Sequence, residues 1–239
     1  MGYFLAIGFL LGVRHAFDGD HLAAVTTLVL GHPTNRESLR IGVAWGLGHA
    51  LMLFVATALV MATTDGVSEH FAAAFEMLVG VMLVLLGTDV IRRALSSRLH
   101  GHGHAHDDDV YHYHFHAHSA EVDHDKDPHR HRHAPPSVLR ACVVGVVHGL
   151  AGSAALILLT IGSAPTWSTA LIYVALFGLG SVLGMGAVSL ALAVPFRLCA
   201  ANYPRRLQFL NAGAGLTSVI LGAWVLLGPL WSGIVGTAV

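Results

Sequence analysis

Six long apolar stretches dominate this chain, near residues 3–30, 39–62, 71–91, 138–162, 167–195 and 207–232. Each is close to or above the roughly 20 residues that a helix needs to cross the hydrocarbon core of a bilayer. Backbone polar groups cannot stay unpaired in lipid, so such stretches fold as helices that satisfy their own hydrogen bonds. Composition agrees. Hydrophobic residues make up 54% of the chain and charged residues 11%, with a mean hydropathy of +0.65, whereas soluble domains carry about 25% charged residues. The expectation is an all-α integral membrane protein of six transmembrane helices. No basic run precedes the first stretch, so no cleavable signal peptide is expected. A net charge of −1 gives no reason to expect nucleic acid as a partner. Cys142 and Cys199 stand far apart in apolar surroundings and read as small buried residues, not a disulfide or a metal pair.

The basic residues set an orientation. Arg36 and Arg40 lie between the first and second stretches, and Arg197, Arg205 and Arg206 between the fifth and sixth. Arg92, Arg93, Arg98, Lys126, Arg130, Arg132 and Arg140 lie at or between the third and fourth. The alternate connections carry only Asp65, Glu69 and His70, or no charge. By the positive-inside rule the basic connections are cytoplasmic and both termini lie outside, in a multi-pass protein of the cell (inner) membrane.

The halves repeat weakly. "GVRH" at 12–15 matches "GVVH" at 145–148, "WGLGH" at 45–49 matches "FGLGS" at 177–181, and "LG" at 86–87 matches "LG" at 221–222. The offsets stay near 133 residues, and the topology makes equivalent helices run in opposite directions. That is a 3+3 inverted-topology repeat, an arrangement common in secondary transporters, with the site near the midplane. The domain reading is a first three-helix repeat at 1–94, a histidine-rich cytoplasmic loop at 95–137 and a second three-helix repeat at 138–239.

The first stretch contains "RHAFDGDHLAAV" at 14–25. A charged residue at membrane depth costs about 2.5–3.5 kcal/mol on insertion scales and marks a pathway or site. Imidazole with carboxylate is a ligand set for divalent transition metals. In an unbroken helix, turning ~100° per residue, Asp20 would point away from His15. Convergence of His15, Asp18, Asp20 and His21 therefore needs a break in helix 1, and Gly19 is a suitable place for it. The competing reading is a hydrated interfacial loop between two short helices. His49 in "GLGHALML" and His148 in "VVHGLAGSAAL" are further candidate ligands, with satisfied core histidines as the alternative. Arg14 is placed to balance the carboxylates or cap the outer side of the site. Glu76 is a candidate gating residue. Asp89, three and four residues before Arg92 and Arg93, suits an intrahelical ion pair.

Twelve of the eighteen histidines fall in the polar tract: His100, His102, His104, His106, His112, His114, His116, His118, His124, His129, His131 and His133. The tract has no core-forming pattern and is expected to lack regular structure. Histidine-rich tracts capture divalent metals weakly and with little selectivity.

These motifs resemble a known family. "RHAFDGDH" fits the H-x4-D-H signature of the nickel/cobalt transporter (NiCoT/NicO) superfamily, with His15, Asp20 and His21 in the signature positions. "GLGH" at 46–49 and "HGLAGSAAL" at 148–156 are similar to other motifs of that superfamily, the latter most like its membrane-bound urease-accessory branch. The resemblance implies transport of Ni²⁺ or Co²⁺, with no prosthetic group and no enzyme activity. It also implies partners such as cytoplasmic nickel chaperones or urease and hydrogenase maturation proteins. Six helices and a long histidine tract are like the efflux-type branch. The aspartate before His21 is more like the uptake permeases, and uptake is favoured.

Other classes stay open. An intramembrane metalloenzyme would also cluster imidazoles, although the chain has no H-E-x-x-H. A bis-histidine haem protein could draw on His15, His49 and His148, and a metal-buffering scaffold would need only the tract. No G-x4-G-K-[ST] motif is present, so any energy must come from an ion gradient or a soluble partner.

Overall fold

The computed structural model describes residues 2–30, 34–63, 69–96, 100–105, 111–116, 138–163, 166–202 and 204–236. The elements in chain order are α1 (Gly2–His15), α2 (Gly19–Val29), α3 (Asn35–Ala62), α4 (Glu69–Ser96), β1 (His100–Ala105), β2 (Tyr111–His116), α5 (Val138–Ser163), α6 (Trp167–Asn202) and α7 (Pro204–Gly236). Four segments, Asn35–Ala62, Ala73–Leu95, Trp167–Phe196 and Gln208–Gly228, are long and apolar enough to cross a membrane. Large apolar side chains such as Leu47, Leu51, Leu59, Leu85, Leu183 and Trp224 point outward from the bundle. In water a surface of that kind drives association, and against lipid chains it is solvated. The fold is that of a helical membrane protein.

Two departures from the sequence expectation concern helix boundaries. The first stretch is two helices, as expected, but Gly19 is not the break. The chain turns at Ala16–Asp18, where the Phe17 and Asp18 N–H groups donate to the Arg14 and His15 carbonyls. Asp18 is then extended (φ −64°, ψ 148°) and Gly19 is already the first residue of α2. The structure thus puts the break on an ordinary extended residue, so no conformation peculiar to glycine is required. At the other boundary, α6 runs through Pro195 to Asn202 instead of ending at 195. α3 starts as its sequence requires. Thr34 caps it by accepting from the Glu37 N–H at 3.2 Å, and its hydroxyl donates to the Glu37 carboxylate, a Thr-x-x-Glu capping arrangement.

α3 packs against both α5 and α6, α1 lies along α6, and α4 lies along α7. Glycines set these distances. A Cβ on Gly12 of α1 would strike the Phe177 backbone of α6, and one on Gly145 of α5 would strike the Trp45 backbone of α3. Gly48 lies against Cys142 and Val146, and Gly180 against Phe9 and Val13. Between α4 and α7 the close pairs are Gly80 with Gly222 and Gly87 with Gly215. Small residues at these crossings let backbones approach closely, which is how helices associate when lipid removes the hydrophobic drive. The buried core between them includes Val25, Trp45, Leu83, Ala141 and Met185.

Two further features depart from expectation. Within the histidine tract the described residues form an antiparallel pair of strands, His100 opposite His116, His102 opposite His114 and His104 opposite His112, where no regular structure was expected. His106, His118, His124, His129, His131 and His133 lie outside the described residues. Cys142 and Cys199 are partly exposed and unpaired, less buried than expected.

Candidate metal centre

The break in the first stretch exists where the sequence concentrates its charge. It lets α1 deliver His15 from one side and α2 deliver Asp20 and His21 from the other. α3 contributes His49 and α5 contributes His148, and the side chains of His21, His49 and His148 are buried to within 1%. The four imidazoles pack against one another: ring centroids are 4.3 Å apart for His15–His21, 5.2 Å for His21–His49, 5.3 Å for His15–His49, 4.1 Å for His21–His148 and 6.0 Å for His49–His148. Phe177 lies beside His15 at 5.3 Å and Trp45 beside His148 at 5.9 Å.

Two triplets have ligand atoms close enough to share an ion. One is His15, His21 and His49, the other Asp20, His21 and His148, and within each the atoms lie within 4.8 Å of one another. In the first, His15 Nε2, His21 Nε2 and both nitrogens of His49 are buried with no hydrogen-bond partner among the described residues. A buried polar atom left unpaired costs about 1–3 kcal/mol, and several facing one another are explained when something else completes them.

The other ring nitrogens are held by carboxylates. His15 Nδ1 donates to Asp18 Oδ2 at 2.7 Å, and His21 Nδ1 donates to Asp20 Oδ1 at 3.1 Å. This fixes the tautomer: with the proton on Nδ1, the lone pair sits on Nε2, where a cation would find it. Carboxylates that orient metal-binding imidazoles in this way also raise their basicity. Asp18 was a candidate ligand from sequence, but it belongs to neither triplet. Its side chain is 51% exposed and its carboxylate is engaged with His15. Asp20 also accepts from His148 Nε2–H at 2.8 Å, linking residues 128 positions apart.

The remaining candidates lie elsewhere. Arg14 is exposed and makes no ion pair among the described residues. Glu76 is exposed on α4 and outside both triplets. Asp89 forms the expected pairs with Arg92 and Arg93, and it also accepts from Arg140 of α5 at 3.0 Å, which the sequence spacing did not suggest. Phe177 and Trp45 as ring partners were also missed. The signal was present, since "WGLGH" and "FGLGS" set those two residues in equivalent positions.

No protein-family model and no solved structure matches the chain. It is 25% identical over 226 residues to the chloroplast protein FOR GROWTH AND FERTILITY 1 of Arabidopsis thaliana, across 94% of this chain and 59% of the plant protein. It is 31% identical over 216 residues to the urease accessory protein UreH of a Bacillus species (strain TB-90), across 90% of this chain and 86% of that protein. Identity at that level, over nearly the whole of both proteins, places this chain in the UreH family, the urease-accessory branch of the nickel/cobalt transporter superfamily.

Proposed function

We propose that this protein carries Ni²⁺, with Co²⁺ as the alternative cargo, across the cell membrane as a secondary transporter working by alternating access. The observation that carries the proposal is the first triplet. Three imidazoles from three helices converge with unpaired nitrogens inside a helical membrane protein. His15, His21 and His49 bind the ion, Asp18 and Asp20 orient the imidazoles, and His148 completes the cluster from α5. Neutral imidazole suits Ni²⁺ and Co²⁺, and the ionised carboxylates offset part of the cargo's charge.

Alternating access calls for two halves that can rock, and the packing supports an inverted repeat of 3+3 helices. Adding about 133 residues to the contact of Gly12 with Phe177, while subtracting about as many from its partner, gives the contact of Gly145 with Trp45. The same operation turns Gly180 against Phe9 and Val13 into Gly48 against Cys142 and Val146. With an offset of 135 it turns Gly80 against Gly222 into Gly215 against Gly87. In this reading α1 and α2 together form one broken span, giving six spans. The basic connections face the cytoplasm, and the direction is uptake. The histidine tract captures metal on the cytoplasmic side, for hand-off to nickel chaperones or urease maturation proteins.

A haem reading is disfavoured because the imidazoles contact one another where a porphyrin would have to separate them. The test is ⁶³Ni²⁺ accumulation by proteoliposomes of known orientation, for the full chain and for a variant lacking 100–133. A transporter conducts in both, with altered regulation in the second. A scaffold that merely holds metal on the tract loses its activity with the deletion, and a Soret band in the purified protein contradicts the proposal.

A further inference from the structure

The two triplets share one residue, His21. The flanking histidines are related as the halves are, since His15 plus 133 is His148. Their aromatic neighbours follow the same relation: His15 lies against Phe177, and His148 lies against Trp45, the residue equivalent to Phe177. His21 stands between them, 4.3 Å from one ring and 4.1 Å from the other. The two flanking pairs are related in this way, while Trp45 also lies 5.5 Å from His21, and the ligands are asymmetric, because the equivalent of His49 is Ser181. Ser181 donates to the Gly12 carbonyl and takes no part in either triplet.

We propose that the centre holds two mutually exclusive ion stations that pivot on His21. One is His15/His21/His49, made by the first half alone. The other is Asp20/His21/His148, which bridges the halves. This inference rests on the transport reading above. Each station has one partly exposed ligand, His15 at 19% in the first and Asp20 at 36% in the second, while its other two side chains are buried. Exchanging the conformations of the two halves, as an inverted repeat permits, moves the ion from one station to the other. During the handover the ion leaves His15 and His49 and stays on His21. It displaces the hydrogen bond between Asp20 and His148, so that both become ligands. The ring of His148 gives up the Nε2 proton that it donates to Asp20 here and takes one on Nδ1, the nitrogen now buried without a hydrogen-bond partner among the described residues, so that the Nε2 lone pair is free for the ion.

The test uses the full chain in nanodiscs and in oriented proteoliposomes, with ⁶³Ni²⁺ as the probe. Binding is measured as the difference from His21→Gln, which lacks both stations and keeps the histidine tract. His49→Gln and His148→Gln should each retain His21-dependent binding, weakened by about ten- to a hundredfold, while each abolishes net transport. The double variant should bind no more than His21→Gln. Retained binding shows that the single variants are folded, and His148→Ala with its size-exclusion profile provides a second check. If His148→Gln loses binding as completely as His21→Gln while staying monodisperse, there is one station and the proposal fails. Wild-type transport by His148→Gln also overturns it. A wild type indistinguishable from His21→Gln in both binding and transport removes the transport reading itself.

Discussion

Substituting Gly12 with alanine tests whether backbone packing fixes the metal centre. Gly12 lies three residues before His15 on α1, and its neighbour on α6 is the backbone of Phe177. A Cβ at this position would sit 2.8 Å from the Phe177 carbonyl carbon and 3.0 Å from its Cα, with the carbonyl oxygen nearer still. These are backbone atoms, so no side-chain rotation relieves the clash. Ordinary carbon contacts begin near 3.5 Å, so α1 must move off α6 by about 0.5–1 Å. Metal–ligand distances tolerate about 0.2 Å, so the shift takes His15 out of reach of an ion held by His21 and His49. Gly12→Ala is expected to destabilise the bundle by about 1–3 kcal/mol, the usual range for overpacking. It should also weaken Ni²⁺ binding by about ten- to a hundredfold. Gly19→Ala is the control, because nothing lies within 4 Å of a Cβ there. Thermal unfolding in detergent and ⁶³Ni²⁺ equilibrium dialysis read both variants. A Gly12→Ala protein with wild-type stability and affinity refutes the reasoning, and so does a Gly19→Ala protein that loses as much.

Asp18→Asn keeps the size of the side chain that holds His15 but removes its charge. It should weaken Ni²⁺ binding by about tenfold, less than His15→Gln does, and equal losses in dialysis would make Asp18 a ligand. Loading should fall as the medium is acidified to the lowest pH at which the protein stays folded, because protons compete for the same imidazole lone pairs that bind the cation. A pH-independent isotherm would contradict an imidazole site. Asp89→Asn breaks the pairs with Arg92, Arg93 and Arg140. The cluster is partly exposed, so chemical denaturation should register no more than about 1 kcal/mol, and a larger loss would mean that it locks α4 to α5.

The sequence made the helices legible because each apolar stretch is long and the lipid requirement leaves few alternatives. Charge was legible as well. Asp20 and His21 stood out inside an apolar stretch, and the need for convergence implied a broken helix. What it could not reveal was which atoms face which. Spacing placed Asp18 among the ligands, whereas the turn at Ala16–Asp18 aims its carboxylate at His15 Nδ1. Gly19 invited the break, yet the break falls one residue earlier, on extended backbone open to any residue. Asp89 paired with its neighbours in sequence as expected, but Arg140 comes from another helix. Such a contact follows from packing, and no local pattern carries it. The repeat was visible only as three short glycine-rich matches. The same glycines stand at the helix crossings, a placement that no short match reveals.

The central claim, that Ni²⁺ crosses the membrane through the cluster on His21, is tested most directly by ⁶³Ni²⁺ flux in sealed, oriented proteoliposomes. Wild type and His21→Gln are compared side by side, each lacking 100–133 so that the tract cannot mask the result. The wild-type sequence at position 21 should accumulate nickel and the variant should not. Equal accumulation by both would contradict the claim.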